Sequence, residues 1–412
     1  MTGIIFIGMA LLVAASSTLA AGQSSARSVA MGGAHIGLAK GVDAARYNPA
    51  NLGLTSHRST GVELVGVGAN ISNNSFTLSD YNKYTGAFLT TEDKEYILGR
   101  IPDEGLRLAA DVEATALALS TGQFGLTVTG VGRADVNLSR DIFELVLNGN
   151  TFADTISVDG SYSDAVSYIS AGLSYGLPLY TNGSRQLAVG ATARYLRGIA
   201  VEQVTELQGM FATNSTGYSG EGRLVAQTAT GGRGYALDLG GAFKLNDHYT
   251  LGFKMENFLS HLKWSDEPEE HGYLFSFDTM TVDNMNEDYV VSEDYSRSIE
   301  PFTTSLPTVM TVGVANTSGK LVWAVDYQQK FRSENGTSTK PRLAAGVEYS
   351  LLRFLPIRAG YATGGDRNAA FSFGSGIRAL AFYLDVAAVT GSTFSGYSSK
   401  SVHMAVSTGL HF

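Results

Sequence analysis

The chain ends in the stretch SVHMAVSTGLHF, residues 401–412, in which apolar side chains recur at every second position. One face of this stretch carries Val402, Met404, Val406, Thr408, Leu410 and Phe412. The other face carries His403, Ala405, Ser407, Gly409 and His411. A period of two predicts a β-strand with one apolar face. Such a strand is typical of a transmembrane barrel, in which one face meets lipid and the other a polar or crowded lumen.

The same alternation recurs upstream and predicts fourteen strands in total. Charged residues fall on one face of these strands, and a charge on the lipid face of a barrel costs a few kcal/mol. We therefore expect the following residues to line the lumen: Asp238, Lys254, Glu256, Asp326, Arg342, Glu348, Arg358, Arg378 and Asp385. The predicted strands span residues 59–70, 113–120, 123–133, 166–178, 185–199, 235–245, 248–258, 307–315, 320–331, 342–351, 354–364, 369–378, 380–390 and 401–412.

The predicted connections alternate between short and long. The short ones are 121–122, 246–247, 316–319, 352–353 and 379, with 179–184 as a mild exception. The others are 71–112, 134–165, 200–234 and 259–306, then 332–341, 365–368 and 391–400. Bacterial barrels have short periplasmic turns and longer extracellular loops. The fold class predicted is thus all-β, a single antiparallel outer-membrane barrel with both termini in the periplasm.

Composition supports this class. Charged residues make up 16% of the chain, against about 25% in an ordinary soluble protein. After the first twenty or so residues, no segment is apolar enough to span a bilayer as a helix. The net charge of −9 argues against nucleic acid as a partner. The absence of cysteine excludes disulfides, thiolate metal sites and an acylated lipoprotein anchor.

The N-terminus has the pattern of a secretory signal peptide. Residues 4–15 form an apolar stretch, and residues 16–21 are mostly small, as signal peptidase requires. No Lys or Arg precedes Arg27, so the usual positive charge is missing. We expect residues 1–21 to be the signal peptide.

A second motif follows directly. Its elements are Ala26-Arg27, Met31-Gly32-Gly33-Ala34, Asn48-Pro49-Ala50 and Leu52-Gly53-Leu54. In order and spacing they resemble the N-terminal signature of the FadL/PorV-like outer-membrane β-barrel superfamily. The resemblance implies a fourteen-stranded barrel, here residues 57–412, and a segment, here residues 22–56, that plugs the lumen from the periplasmic side. The residues it assigns to the plug motif are Arg27, Met31, Gly32, Gly33, Ala34, Asn48, Pro49 and Ala50. The alternative is a leader that only tethers the first strand.

The leading functional hypothesis is transport of hydrophobic or amphipathic small molecules, similar to fatty acids, across the outer membrane. A plugged lumen requires either a displaced plug or a lateral gap in the wall, and Pro356 and Gly360 are candidate kinks for such a gap. A second hypothesis is a non-transport component of protein secretion or surface attachment. A third, an outer-membrane lipid-modifying enzyme, rests on His403 and His411, whose predicted inward position accounts for them without catalysis.

We expect no enzyme activity, cofactor or metal, because the sequence contains no dinucleotide fingerprint, phosphate loop, nucleophile elbow, zinc spacing or calcium loop. The acidic residues of 259–306 are interpreted as a solvated outer surface. The expected partners are outer-membrane lipid and lipopolysaccharide, the barrel-assembly machinery, which would read Phe412 as an assembly signal, and a hydrophobic small-molecule ligand.

Overall fold

The computed structural model describes residues 24–150, 155–281, 290–332, 338–365, 367–391 and 399–412. The predicted signal peptide and residues 22–23 lie outside this part of the chain. Five α-helices occur in it: α1 (Ala26–Ala30), α2 (Val42–Tyr47), α3 (Leu78–Tyr84), α4 (Thr91–Arg100) and α5 (Arg140–Asn148), with a 3-10 helix at Pro49–Gly53. None of the described helices combines the length and the apolar character needed to cross a bilayer.

The described strands are β1 (Gly61–Asn73), β2 (Leu106–Thr121), β3 (Phe124–Leu138), β4 (Thr155–Ser157), β5 (Tyr162–Asn182), β6 (Arg185–Asn214), β7 (Gly217–Ala229), β8 (Gly231–Lys244), β9 (Tyr249–Asp266), β10 (Glu269–Met280), β11 (Val291–Ser298), β12 (Phe302–Thr304), β13 (Val309–Ser318), β14 (Leu321–Lys330), β15 (Arg342–Leu352), β16 (Leu355–Gly364), β17 (Arg367–Ala379), β18 (Phe382–Thr390) and β19 (Ser401–His411). All belong to one sheet.

Fourteen of these strands close an antiparallel barrel, in the order β1, β2, β3, β5, β6, β8, β9 and β13 to β19. The ring closes where β19 pairs with β1, from Gly61 opposite His411 to Ser72 opposite Ser401. The predicted fold class and strand number are therefore confirmed. Because the strand number is even, β1 begins and β19 ends at the same rim.

Side chains alternate between the two faces of the wall as the sequence predicts. In β19, Ala405 and Ser407 are buried inside, whereas Val402, Met404 and Val406 are exposed outside. The exposed face is apolar on most strands, so it suits a hydrocarbon surrounding rather than water.

Connections at the rim near the termini are short, since β2–β3, β5–β6, β13–β14, β15–β16 and β17–β18 are joined by two residues each. The expected exception at 179–184 is wrong. β5 continues to Asn182, and Gly183 with a φ of 58° completes a two-residue turn to β6. We call this end the turn rim and the opposite end the loop rim.

At the loop rim, two predicted loops are largely strand. β6 runs on to Asn214 and pairs with β7, and β9 runs on to Asp266 before β10 and β11. Together with β4, these strands extend the sheet beyond the barrel. The period-two pattern misses them because most of their side chains on both faces are partly exposed, so neither face needs to be apolar.

Candidate functional site

Residues 24–58, here called the N-terminal segment, lie inside the barrel against strands on all sides. Ala26 N–H donates to Ser407 Oγ on β19, and Thr55 N–H donates to Gln186 Oε1 on β6. Nearly all of the apolar side chains of the segment are buried, including Met31, Leu38 and Leu52. Against the longer strands β5, β6 and β8 the segment lies toward the turn rim, where it meets Gly176, Gly190 and Gly240. Against the shorter strands β15 to β18 it reaches the loop-rim end, at Arg342, Ala370 and Val389.

Proline and asparagine shape the second half of the segment. Pro49 restricts Asn48 to an extended conformation, with φ −157° and ψ 100°, which ends α2. The Asn48 side chain accepts from Ala50 N–H and donates to Gly241 O at 3.0 Å. Asn51 donates to Ile36 O and Ala39 O, so it ties the two halves of the segment together.

Glycines in the wall admit the backbone of the segment. A Cβ added at Gly190 or Gly240 would meet Pro49 or Ala50, and one added at Gly346 or Gly360 would meet Met31 or Gly32. Within the segment, Gly32 and Gly33 have φ values of 70° and 86°, which favour glycine. The Met-Gly-Gly and Asn-Pro-Ala elements therefore lie where the segment approaches the wall most closely.

Charges on the wall bind both side chains and backbone of the segment. Arg27 Nε lies 2.9 Å from Glu348 Oε2, and Glu348 also pairs with Arg358 at 2.6 Å. Arg358 continues to Asp385 at 2.7 Å, which also pairs with Arg378 at 2.9 Å. This row of ion pairs crosses β15, β16, β17 and β18.

Two further wall residues hold the backbone near the Met-Gly-Gly-Ala element. Asp326 Oδ2 accepts from His35 N–H at 2.6 Å and from Ile36 N–H at 2.9 Å, and Arg342 donates to Gly32 O. These contacts replace the hydrogen bonds that a non-regular backbone would otherwise lack.

The remaining predicted lumen residues, Asp238, Lys254 and Glu256, form a charged layer on the loop-rim side of the segment. Lys254 pairs with Glu256 at 3.3 Å and with Asp238 at 3.7 Å. Asp238 also pairs with Arg194 at 2.8 Å. Lys254 Nζ donates to Arg46 O at 2.9 Å, so this layer touches the segment directly.

Sequence reasoning missed Arg46, Glu63 and Arg194. Arg46 of α2 lies 2.7 Å from Glu63 on β1, and both side chains are buried. The period-two pattern could have identified Glu63 and Arg194, since both lie at inward positions of predicted strands. Arg46 lies in an irregular segment where no periodicity applies.

The register of β6 and β8 shows three layers along the barrel axis. Moving from the turn rim, the inward pairs are Gly190 with Gly240, Thr192 with Asp238, Arg194 with Ala236, and Leu196 with Gly234. The first pair touches the segment, and Thr192, Asp238 and Arg194 lie in or beside the charged layer. The last begins an apolar cluster of Val166, Tyr168, Leu196, Val201, Ala229, Ala236, Leu262, Trp264 and Leu306.

Trp264 is the largest side chain of this apolar cluster and is fully buried. Its indole packs over Gly198 and Gly232, and its Nε1–H donates to Thr304 Oγ1 at 2.9 Å. On the side of β5 to β9, the lumen toward the loop rim is thus apolar, and the charged layer separates this cluster from the segment.

The wall is interrupted beside this cluster. The β9–β13 ladder stops at Glu256 opposite Val309, and β9 pairs again only where Leu262 lies opposite Thr304 on β12. On the other edge of β9, which pairs with β8, residues 256–258 lie opposite the single residue Asp238. Asn257 has a φ of 51°. We call residues 257–261 and 305–308 the wall gap.

Side chains close the wall gap in place of a backbone ladder. Asn257 Nδ2 donates to Pro307 O at 2.8 Å, and Thr308 Oγ1 donates to Asn257 O at 3.0 Å. Ser260 Oγ accepts from Leu306 N–H at 2.9 Å. Pro307 has no N–H, so it cannot take part in a continuous ladder.

The kinks expected at Pro356 and Gly360 are not found. β16 pairs continuously with both neighbours from Ile357 to Thr363. Pro356 lies beside a register shift at the turn rim, and Gly360 admits Gly32 from the lumen without bending the strand. No group of three or more His, Asp or Glu side chains suited to a metal occurs among the described residues.

Comparison with known proteins identifies the fold. The family model that matches, over residues 49–230, is described as a family of unknown function, DUF5723. No curated protein matches the sequence significantly. The solved structures that match include the toluene transporter TodX of P. putida, at 14% identity and a TM-score of 0.54, covering 93% of this chain and 97% of that one.

Two other solved structures give similar values. The toluene transporter TbuX of Ralstonia pickettii matches at 14% identity and a TM-score of 0.54, covering 93% of this chain and 97% of that one. A Pseudomonas aeruginosa FadL homologue matches at 13% identity and a TM-score of 0.51, covering 97% and 99%. The chain therefore has the fourteen-stranded barrel fold of the FadL-type proteins that its N-terminal signature resembles.

The close approach at Gly360 yields a first prediction. We expect Gly360→Val to displace residues 31–32, because its side chain would overlap their backbone. Since the chain has no cysteine, a single Ala34→Cys substitution reports this movement. Its thiol should resist maleimide in the otherwise unchanged protein and react at least tenfold faster with Gly360→Val. The control is Gly132→Ala on β3, where an added Cβ meets no atom within 4 Å. Equal labelling of all three proteins would contradict the prediction.

A pH dependence follows from His57, which is buried at the end of the segment. Its Nε2–H donates to Gly37 O, and Nδ1 accepts from Ser56 Oγ. Burial lowers the pKa of His57 to about 3, and the charge of Lys40 adds to this effect. Neutral His57 therefore stabilises the folded state. This contribution is complete above the unfolded-state pKa of about 6.5 and is lost progressively as the pH falls below it.

Between pH 6.5 and 4 the loss from this group should reach about 3 kcal/mol. We expect the unfolding temperature of the barrel, followed by circular dichroism, to fall less over this range in His57→Gln than in the unchanged protein. If the unfolding temperatures of the two proteins fall in parallel with pH, the acid sensitivity comes from other groups and the prediction is wrong.

Proposed function

We propose that this chain is an outer-membrane barrel that takes hydrophobic small molecules in at the loop rim and releases them sideways through the wall gap. The observation that carries the proposal is the position of the gap. It opens beside the apolar cluster of Trp264 and Leu306, above the charged layer. The direct route through the lumen is therefore unfavourable for an apolar molecule, whereas the sideways route is short.

The outer surface supports placement in a membrane. On β6, outward side chains from Leu187 to Tyr195 are apolar or aromatic, as are Leu251 and Phe253 on β9. Aromatic side chains lie toward both ends of this surface, including the Tyr249–Trp323 pair at the turn rim and the stacked Tyr235 and His261 toward the loop rim. Girdles of this kind flank the lipid-facing band of outer-membrane barrels.

A lateral exit requires only local opening. A few hydrogen bonds from Asn257, Ser260 and Thr308 close the gap, and each contributes about 1 kcal/mol. Opening a continuous ladder of the same length would require several backbone hydrogen bonds to break together. Opening the wall at the gap is therefore expected to cost less than opening a continuous ladder of the same length.

The N-terminal segment acts in this proposal as a plug, with residues 1–21 removed as a signal peptide and both termini in the periplasm. Its support is the burial of the segment and its bonds to the surrounding strands. The plug keeps water and polar solutes out and leaves the lateral route to apolar ones. The solved structures named as toluene transporters share the fold, which supports uncharged hydrophobic compounds as the substrate class.

Locking the gap should stop transport. Ser260→Cys with Leu306→Cys places two thiols across the gap, where Ser260 Oγ contacts the Leu306 backbone at 2.9 Å. Oxidation is checked by the change in gel mobility, and a short bis-maleimide linker is used if the disulfide does not form. Uptake of radiolabelled toluene and oleate would be measured in cells that lack other hydrophobic channels. The oxidised variant should lose at least tenfold in uptake, and a reductant should restore it.

The matched control is Val314→Cys with Val325→Cys, which lie opposite each other in the continuous β13–β14 ladder. Its oxidation should leave uptake unchanged. If locking the gap has no effect while the barrel still takes up substrate, the lateral route is wrong.

Removing the segment tests the plug. A chain lacking residues 24–56 should let small sugars leak into vesicles at least tenfold faster, because a fourteen-stranded wall is well above the size of about eight strands whose lumen side chains alone can fill. The control is the full chain refolded in parallel, with heat-dependent gel mobility showing that both barrels are closed. Equal leakage from two closed barrels would contradict the role of the segment as a plug.

A further inference from the structure

Three basic residues lie side by side on the outer surface near the loop rim. Arg197 on β6 is directly opposite Arg233 on β8, and Arg233 is directly opposite Lys263 on β9. Arg233 and Lys263 are exposed and Arg197 is partly exposed. We call these three residues the cation row. Like charges directly opposite each other on neighbouring strands destabilise a sheet, so the row needs an explanation.

Counter-charges from the protein cover only part of the row. Arg197 pairs with Asp266 at 3.2 Å. Neither Arg233 nor Lys263 forms an ion pair with any residue that the structure describes. The neighbours that end the row on either side are Ile169 on β5 and Thr303 on β12, which carry no charge. Arg233 and Lys263 therefore present their charges to the surroundings, where an external anion has access to both.

The level of the row indicates what that anion is. Directly toward the turn rim lies an aromatic row of Tyr195, Tyr235 and His261, and beyond it the outward side chains are apolar. Aromatic side chains at such a level mark the boundary between hydrocarbon and headgroups. Ten residues separate Leu187 from Arg197, or about 25 Å along the barrel axis for strands tilted by about 40°. This matches the height of the apolar band in outer-membrane barrels.

We propose that the cation row binds the phosphate of a membrane lipid headgroup in the leaflet at the loop rim. Guanidinium groups donate two parallel hydrogen bonds to phosphate, and a lysine adds a compact charge. The acyl chains of the same lipid would lie over the aromatic row and the apolar surface below it. The proposal rests on the membrane placement proposed above and adds a specific site to it.

The test compares binding of phosphorylated lipid A and its dephosphorylated form to the purified full chain in detergent, using native mass spectrometry. The triple variant Arg197→Gln, Arg233→Gln, Lys263→Gln removes the row. The matched control Arg185→Gln, Lys320→Gln, Arg353→Gln removes three exposed cations at the turn rim. We expect the unchanged chain and the control to bind the phosphorylated form at least tenfold more strongly than the triple variant does.

Equal binding by the triple variant and the control would overturn the proposal, as would equal binding of the two lipid forms by the unchanged chain. Inorganic phosphate at millimolar concentration is included as a competitor. Complete displacement of the lipid by it would assign the site to soluble phosphate and refute a lipid site. Insertion into phosphatidylcholine vesicles is measured separately, so failure of the membrane placement is distinguished from failure of the cation row.

Discussion

A wall of fourteen strands encloses more space than its own side chains can fill, and this constraint governs the rest of the structure. Eight strands are about the limit for a lumen filled by side chains alone. Here the N-terminal segment supplies most of the missing volume, and the cluster around Trp264 adds to it on the side of β5 to β9. Because the segment is mostly non-regular backbone, the wall must also provide its hydrogen bonds. Asp326 and Arg342 do so from β14 and β15.

The buried charges are better understood as positioning groups than as sources of stability. Desolvating an ion pair costs about as much as the pairing returns, so a buried pair adds little net stability. Breaking one is costly, however, because it leaves an uncompensated charge. The row from Arg27 through Glu348 to Asp385 therefore fixes one position of the segment against the wall. In the proposed route, the same desolvation cost would oppose passage of an apolar molecule through the layer around Asp238 and Lys254.

Much of the barrel could be predicted because each strand has one apolar outer face, which imposes a period of two. That signal is absent from β7 and β11, whose faces are both partly exposed. The gap at Asn257 was missed because a positive φ leaves no mark in the pattern, although Pro307 was a usable sign of a broken ladder. Only part of the candidate site could be predicted from the sequence. Inward charges follow from periodicity, whereas contacts of Arg46 depend on how an irregular segment lies in the lumen.

The N-terminal segment has a consequence for the order of folding. Ala26 bonds to Ser407 and Ala30 bonds to Ser372, so the first residues of the segment depend on strands synthesised last. Contacts of such long sequence separation form slowly, because the intervening chain must first be brought together. A ring already sealed between β1 and β19 would offer no side entrance to more than thirty residues. The segment must therefore be enclosed as the ring forms or enter through the end of the barrel at the turn rim, and in either case its final packing waits for the last strands.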